Sequence, residues 1–316
     1  MECSPDDLCS HPNKRLADHL NEVGTTASSL ISGSRPELSD PAYIAGAYHD
    51  VGKYTTFFQK HLRGGKDPRS SHAEISSLIA YYVAKRALSS LELPILVSLA
   101  VRSHHGHLKG IETVKRWAMN KLDDPGVLGP QFQDLYKRMD RILENMSNIR
   151  YHSHVEGFLE QDLNSTLEEY ASDLLHLEEE LKADQSKAWE RYLGGLLLFS
   201  CLIDSDKHSA SDTSFLPQNP PSPSLITEFI SSIKSNDRMA GIREKLNSLV
   251  SSTPVSRTVT LIAPSGSGKT LSGVLTALKM GKSRLIYALP YISIVEQVHD
   301  VLSRTRMDPL KFYHLY

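Results

Sequence analysis

Imidazole and carboxylate side chains recur along this chain in an order that could hold metal. His49 and Asp50 are adjacent, His72 follows, His104 and His105 form a second adjacent pair, and Asp204 and Asp206 close the series. Imidazole with carboxylate and without thiolate suits divalent Mn, Fe, Ni, Co or Mg better than a closed structural zinc. A carboxylate that bridges two such ions forms a clamp for the attacking and leaving oxygens of phosphate ester hydrolysis. Fourteen histidines are present, and seven of them fall between His19 and His107. His11, His152, His154, His176, His208, His299 and His314 read as ordinary surface or core histidines, and so do His61 and His107 despite their nearness to the series.

These residues need helix ends to bring them together. Neighbours on a helix point about 100° apart, so both members of an adjacent pair reach one metal only where the helix opens or stops. The first two hundred residues read as helix after helix, an all-α bundle. Asp40 and Pro41 suit a helix start just before the His49–Asp50 pair. Ile75, Leu78, Ile79, Tyr82 and Val83 mark one helical face over residues 72–88. Residues 131–146, 155–181 and 187–204 continue the pattern. The most apolar stretch, residues 192–203, is shorter than the roughly 20 residues that cross a bilayer and reads as a buried core helix.

Lys53 lies three residues after Asp50, one turn on if the helix continues, where a cation could orient phosphate or offset developing negative charge. Arg63, Lys66 and Arg69 sit in a Gly-rich loop before His72. They suit a nucleic-acid backbone or, equally, a solvated loop.

The pattern changes after residue 212. Pro217, Pro220, Pro221 and Pro223 make residues 213–224 an extended linker. A helix is expected over residues 225–250, then strands at 257–263, 284–289 and 311–316 alternating with helices at 269–280 and 292–302, as in a parallel α/β lobe. Between the first strand and its helix stands APSGSGKT, a phosphate loop. Gly266 and Gly268 would turn backbone N–H groups toward phosphate, Lys269 would reach the outer phosphates, and Thr270 would ligate Mg²⁺. The domain boundaries expected are therefore 1–212, 213–224 and 225–316, the last read as an incomplete lobe with too few strands to bury its faces.

Composition narrows the function classes. Lys plus Arg number 35 and Asp plus Glu 37, so bulk positive charge does not drive nucleic-acid binding, although a local basic channel would be compatible. Cys3, Cys9 and Cys201 have no metal-ligand spacing and read as a reduced, cytoplasmic pattern without disulfides.

HDVGK at residues 49–53, Ser71-His72-Ala73, His104-His105-Gly106 and the closing Leu-Ile-Asp-Ser-Asp resemble the HD phosphohydrolase superfamily. With the phosphate loop behind them, they resemble more closely the HD nuclease–helicases of type I CRISPR interference, in which an HD domain precedes a superfamily 2 helicase. That resemblance implies a mainly α HD bundle followed by a RecA-like lobe. It implies metal ligands at His19, His49, Asp50, His72, His104, His105 and Asp206, with Asp204 the alternative to Asp206. It also implies one or two divalent ions, ATP with Mg²⁺ for the motor, single-stranded DNA from a displaced R-loop strand as substrate, a guide-RNA surveillance complex of the Cascade type as partner, and no membrane. Residues 284–290 with Gln297 look like the next helicase motif, with Tyr291 in place of the usual threonine. No acidic Walker B box follows, so a fragment of a longer protein without helicase activity of its own is expected. Two rivals share these ligands: an HD phosphohydrolase of nucleotides or cyclic dinucleotides, and a non-catalytic, metal-stabilised docking module.

Overall fold

The computed structural model describes residues 8–213, 221–233, 238–282, 284–307 and 309. The chain divides into two compact units, Met1–Phe215 and Leu216–Tyr316, each with its own apolar core.

The first unit is a helical bundle entered through a small antiparallel hairpin, β1 (Cys9–His11) and β2 (Lys14–Arg15). Strands this short carry no alternation to read, so the expectation of a purely α unit is corrected by this one hairpin. Helix α1 (Leu16–Ser32) follows directly. Its buried Leu16, Leu20, Val23, Ala27 and Ile31 recur at three- and four-residue spacing and form one face. That face packs on α2 (Ser39–Tyr48) in backbone-close contact, since a Cβ added at Gly46 would meet Val23 O at 2.7 Å. Pro41 lies inside α2 rather than at its first position, and Asp40 makes no cap.

A 3₁₀ turn (Val51–Tyr54) and the short α3 (Thr56–Leu62) lead to α4 (Ala73–Ala87), which packs on α5 (Leu93–Ser103). Five helices follow: α6 (Ile111–Asp123), α7 (Leu128–Tyr136), α8 (Met139–Asn145), α9 (Ser153–Glu160) and α10 (Leu163–Ala183). The single helices expected over 131–146 and 155–181 are thus each two. In the second case Asp162 caps a fresh start by accepting from Ser165 N. The unit closes on α11 (Gln185–Ser211), capped by Asp184 and packed on α1 and α5. It runs a turn past Asp206 and buries only one face, leaving Tyr192 54% exposed rather than in the core.

Cys9 is disulfide-bonded, against the expected reduced pattern, and Cys201 is the free cysteine among the described residues.

In the second unit α14 (Lys269–Lys279) packs on α12 (Pro223–Ser232) and α13 (Ala240–Ser252), with α15 (Ile292–Ser303) beside them in the same core. The helix expected over 225–250 is two. Pro223 opens α12 rather than extending a linker, while residues 214–220 of that linker lie outside the described residues. Residues 257–263 and 284–289 form no strand, which corrects two of the three expected. A strand takes its hydrogen bonds from a neighbour, and here Ile262 and Ile286 stay 91% and 81% exposed. The strand expected at 311–316 lies outside the described residues.

Among the described residues no helix is long and apolar enough to cross a membrane.

Candidate metal centre

Four elements end at one buried point in the first unit. His49 follows the last residue of α2, His72 precedes the first of α4, and His104 follows the last of α5. Asp50 sits where the chain leaves α2 for the 3₁₀ turn, with φ −115° and ψ 13°. His19 comes from the first turn of α1 and Asp206 from near the end of α11. His19, His49 and Asp50 are fully buried.

The two oxygens of Asp50 face different partners. Oδ2 lies 3.2 Å from His49 Nε2 and 3.5 Å from His19 Nε2, and both of those nitrogens are 3.3 Å from Asp206 Oδ1. Oδ1 lies 2.9 Å from His72 Nε2 and 3.4 Å from His104 Nε2. His105 Nε2 stands 2.8 Å from His72 Nε2, so the two nitrogens must share one proton or face a common cation. Two ligand sets therefore meet at Asp50: His19, His49 and Asp206 on one side, and His72, His104 and His105 on the other.

Tautomers are prepared for metal. Nδ1–H of His49 donates to Gly46 O at 2.7 Å and that of His104 to Val101 O at 2.6 Å, which turns each Nε2 lone pair inward. The Nε2 atoms of His19, His49 and His104 and both oxygens of Asp50 are buried without a hydrogen bond of good geometry. Polar atoms this deep are normally satisfied, and five converging orphans fit a bound cation.

The electrostatics agree. Burial disfavours charge on His49, but the Asp50 and Asp206 carboxylates outweigh it and carry its pKa up to about 10. Burial likewise works against ionising Asp50, yet His49, His72 and Lys53 hold it well below the usual carboxylate range. Burial opposes ionised Asp206 too, and the imidazoles of His19 and His49 beside it prevail. Positive charge belongs between these carboxylates, as a proton or as a divalent ion. At the rim, burial and the neighbouring His104 and His72 push the exposed His105 down to about 4.

Lys53 is buried with Nζ 2.6 Å from Asp50 Oδ2, carried there by the 3₁₀ turn rather than by a continuing helix. Asp204 is 54% exposed at its side chain and points toward His208, whereas the Asp206 side chain is 20% exposed and faces the cluster. His61 and His107 bond to Gly65 O and Lys109 Nζ outside the cluster. Arg69 is held by Asp67 and stacks on Phe57, and Arg63 and Lys66 are exposed on the same loop.

Sequence reasoning missed three residues at the site. His11, read as an ordinary histidine, lies edge-on to His19 with ring centroids 5.2 Å apart, and burial with Lys53 pushes it down to about 4. Gln59 ties the hairpin to the 3₁₀ turn by donating to Cys9 O at 2.9 Å and Lys53 O at 2.8 Å. Ser209 contacts His19 Nδ1 at 2.8 Å and donates to Glu22 at 2.9 Å. Only Ser209 carried a readable signal, one turn after Asp206.

In the second unit Gly266 and Gly268 adopt φ +76° and +85°, and Gly268 leads into α14. Lys269 Nζ folds back to donate to Ala263 O at 2.9 Å and Pro264 O at 2.8 Å, and Thr270 follows in the first turn.

Residues 15–144 match the HD domain family. Across 97% of its length the chain is 22% identical to a protein of Haloferax volcanii described as CRISPR-associated nuclease/helicase Cas3, and it spans 37% of that relative. The matched segment contains His19, His49, Asp50, His72, His104 and His105 and stops short of Asp206. The chain thus carries a segment that matches the HD domain and is similar along its length to part of a CRISPR-associated nuclease/helicase.

Proposed function

We propose that the chain is a metal-dependent phosphodiester hydrolase acting on single-stranded DNA, the displaced strand of an R-loop opened by a guide-RNA surveillance complex, in the cytoplasm. The observation that carries this reading is Asp50, whose two oxygens each face a separate ligand set. His19, His49 and Asp206 would hold one divalent ion, His72, His104 and His105 a second, and Asp50 both. Mn²⁺, Ni²⁺, Co²⁺, Fe²⁺ and Mg²⁺ all suit this donor set. Bound ions supply Lewis acidity and a nucleophile drawn from water at neutral pH.

The chain's own residues do the positioning. Backbone carbonyls of Gly46 and Val101 fix two imidazoles, and the neighbouring imidazoles keep the buried carboxylates ionised in a medium where charge acts strongly. Lys53 places a fixed positive charge beside Asp50, where negative charge grows on the phosphate. His105 and Asp206, the more exposed members, mark the edge from which substrate arrives.

Residues 225–316 we read as the beginning of a superfamily 2 RecA-like lobe, with Gly266, Gly268, Lys269 and Thr270 as its ATP-phosphate cradle. The glycine-rich turn entering α14 supports this.

Incubating metal-free chain with each ion and with single-stranded DNA, duplex DNA or a deoxynucleoside triphosphate panel tests the reading. Metal-dependent cleavage of single strands supports it. Turnover of the triphosphates alone would favour a nucleotide phosphohydrolase, and ion retention without hydrolysis a docking module.

A further inference from the structure

One face of α11 grips both ring nitrogens of His19. Asp206 Oδ1 lies 3.3 Å from Nε2, and Ser209, three residues on, places Oγ 2.8 Å from Nδ1. Ser209 is buried, and its hydroxyl donates to Glu22 Oε2 at 2.9 Å. A hydroxyl has one proton, and a carboxylate only accepts. With that proton committed to Glu22, Oγ must accept from His19, so the ring proton sits on Nδ1 and the Nε2 lone pair faces Asp50. Lys14 pins the arrangement from the hairpin, pairing with Glu22 and donating to Ser209 O at 2.8 Å.

His49 and His104 obtain the same tautomer from backbone carbonyls, which no substitution of a side chain removes. His19 obtains it from two side chains. We propose that Ser209 and Glu22 are positioning residues that set His19 as its Nδ1–H tautomer and so complete the ion site formed with His49 and Asp206. This rests on the metal-centre reading above.

Polarity, rather than bulk, is the quantity to change. In Glu22→Gln the amide donates to Ser209 Oγ, the hydroxyl turns its proton to His19 Nδ1, and the imidazole becomes Nε2–H, which cannot ligate. Ser209→Ala removes the acceptor, and Ser209→Thr keeps it.

The test combines nitrogen NMR of the histidine rings in the metal-free chain with calorimetric Mn²⁺ titration, with thermal unfolding confirming the fold. The expected result is an Nδ1–H His19 in the wild type and in Ser209→Thr, and its loss in Glu22→Gln and Ser209→Ala. One of two Mn²⁺ ions should bind those two variants about 10- to 100-fold more weakly, the range for lost outer partners of a ligating histidine. An unchanged His19 tautomer in Glu22→Gln, or wild-type affinity for both ions, would overturn the proposal. A wild type that binds no ion would instead defeat the metal-centre reading, and the NMR result would still decide the tautomer claim.

Discussion

His49 Nε2 lies 3.2 Å from Asp50 Oδ2, although the two residues are neighbours in sequence. Side chains that follow one another on a helix diverge. They converge here because α2 stops at Tyr48 and Asp50 leaves helical geometry, which swings its carboxylate alongside the preceding imidazole. Asp50 is then the one group common to both ligand sets. Asp50→Asn should retain the fold and lose hydrolysis on the order of 10³-fold, since several kcal/mol of ion-derived transition-state stabilisation depends on it. Single-turnover cleavage rates with circular dichroism check this.

Gly52 is wedged against the segment that carries His72. A Cβ there would meet Ile75 Cγ2 at 2.6 Å, His72 O at 2.7 Å and His72 Cβ at 2.9 Å. Its N–H also donates to Ser76 Oγ at 2.8 Å, fastening the 3₁₀ turn to α4. Gly52→Ala should cost about 1–3 kcal/mol through overpacking and weaken ion binding on the His72 side more than on the His19 side. Denaturant unfolding and calorimetric ion titration report the two effects separately.

Buried phenols set an alkaline limit to stability. Burial pushes Tyr170 up to about 12 and raises Tyr48, Tyr54 and Tyr81 above the ordinary phenol value of 10.0. A raised phenol favours the neutral form in the fold, so its contribution is complete below the unfolded pKa and is lost as pH rises through the folded one. Stability should therefore fall above about pH 10, and the phenolate absorbance of these tyrosines should appear together with unfolding. Their ionisation near pH 10 in a chain that stays folded would contradict the assignment.

Lys269 now spends its ammonium on two carbonyls of its own loop. If residues 266–270 cradle ATP, that ammonium must turn to phosphate. Lys269→Ala should then weaken ATP binding about 10- to 100-fold, the worth of one hydrogen bond to a charged group. Equilibrium dialysis of labelled nucleotide measures it.

Much of the cluster was legible because helix boundaries are written locally. Asp50, His49, His72 and His104 stand at helix termini, where residue type and spacing carry the information. His19 did not stand out from its neighbours and came only through resemblance. Asp204 and Asp206 could not be separated without the helix phase relative to α1. His11, on the hairpin, and Gln59, whose partner Cys9 lies there, were illegible because a hairpin of two or three residues per strand has no periodicity. The segments 257–263 and 284–289 show the converse, since their β-branched, apolar residues read as strands while ladder pairing depends on neighbours that composition does not supply.

The shared carboxylate is tested most directly by titrating Mn²⁺ into metal-free chain without nucleotide, comparing wild type with Asp50→Asn. The account predicts two ions bound by the wild type and neither retained at comparable affinity by the variant. Any other wild-type stoichiometry, or binding that survives the substitution, would contradict it.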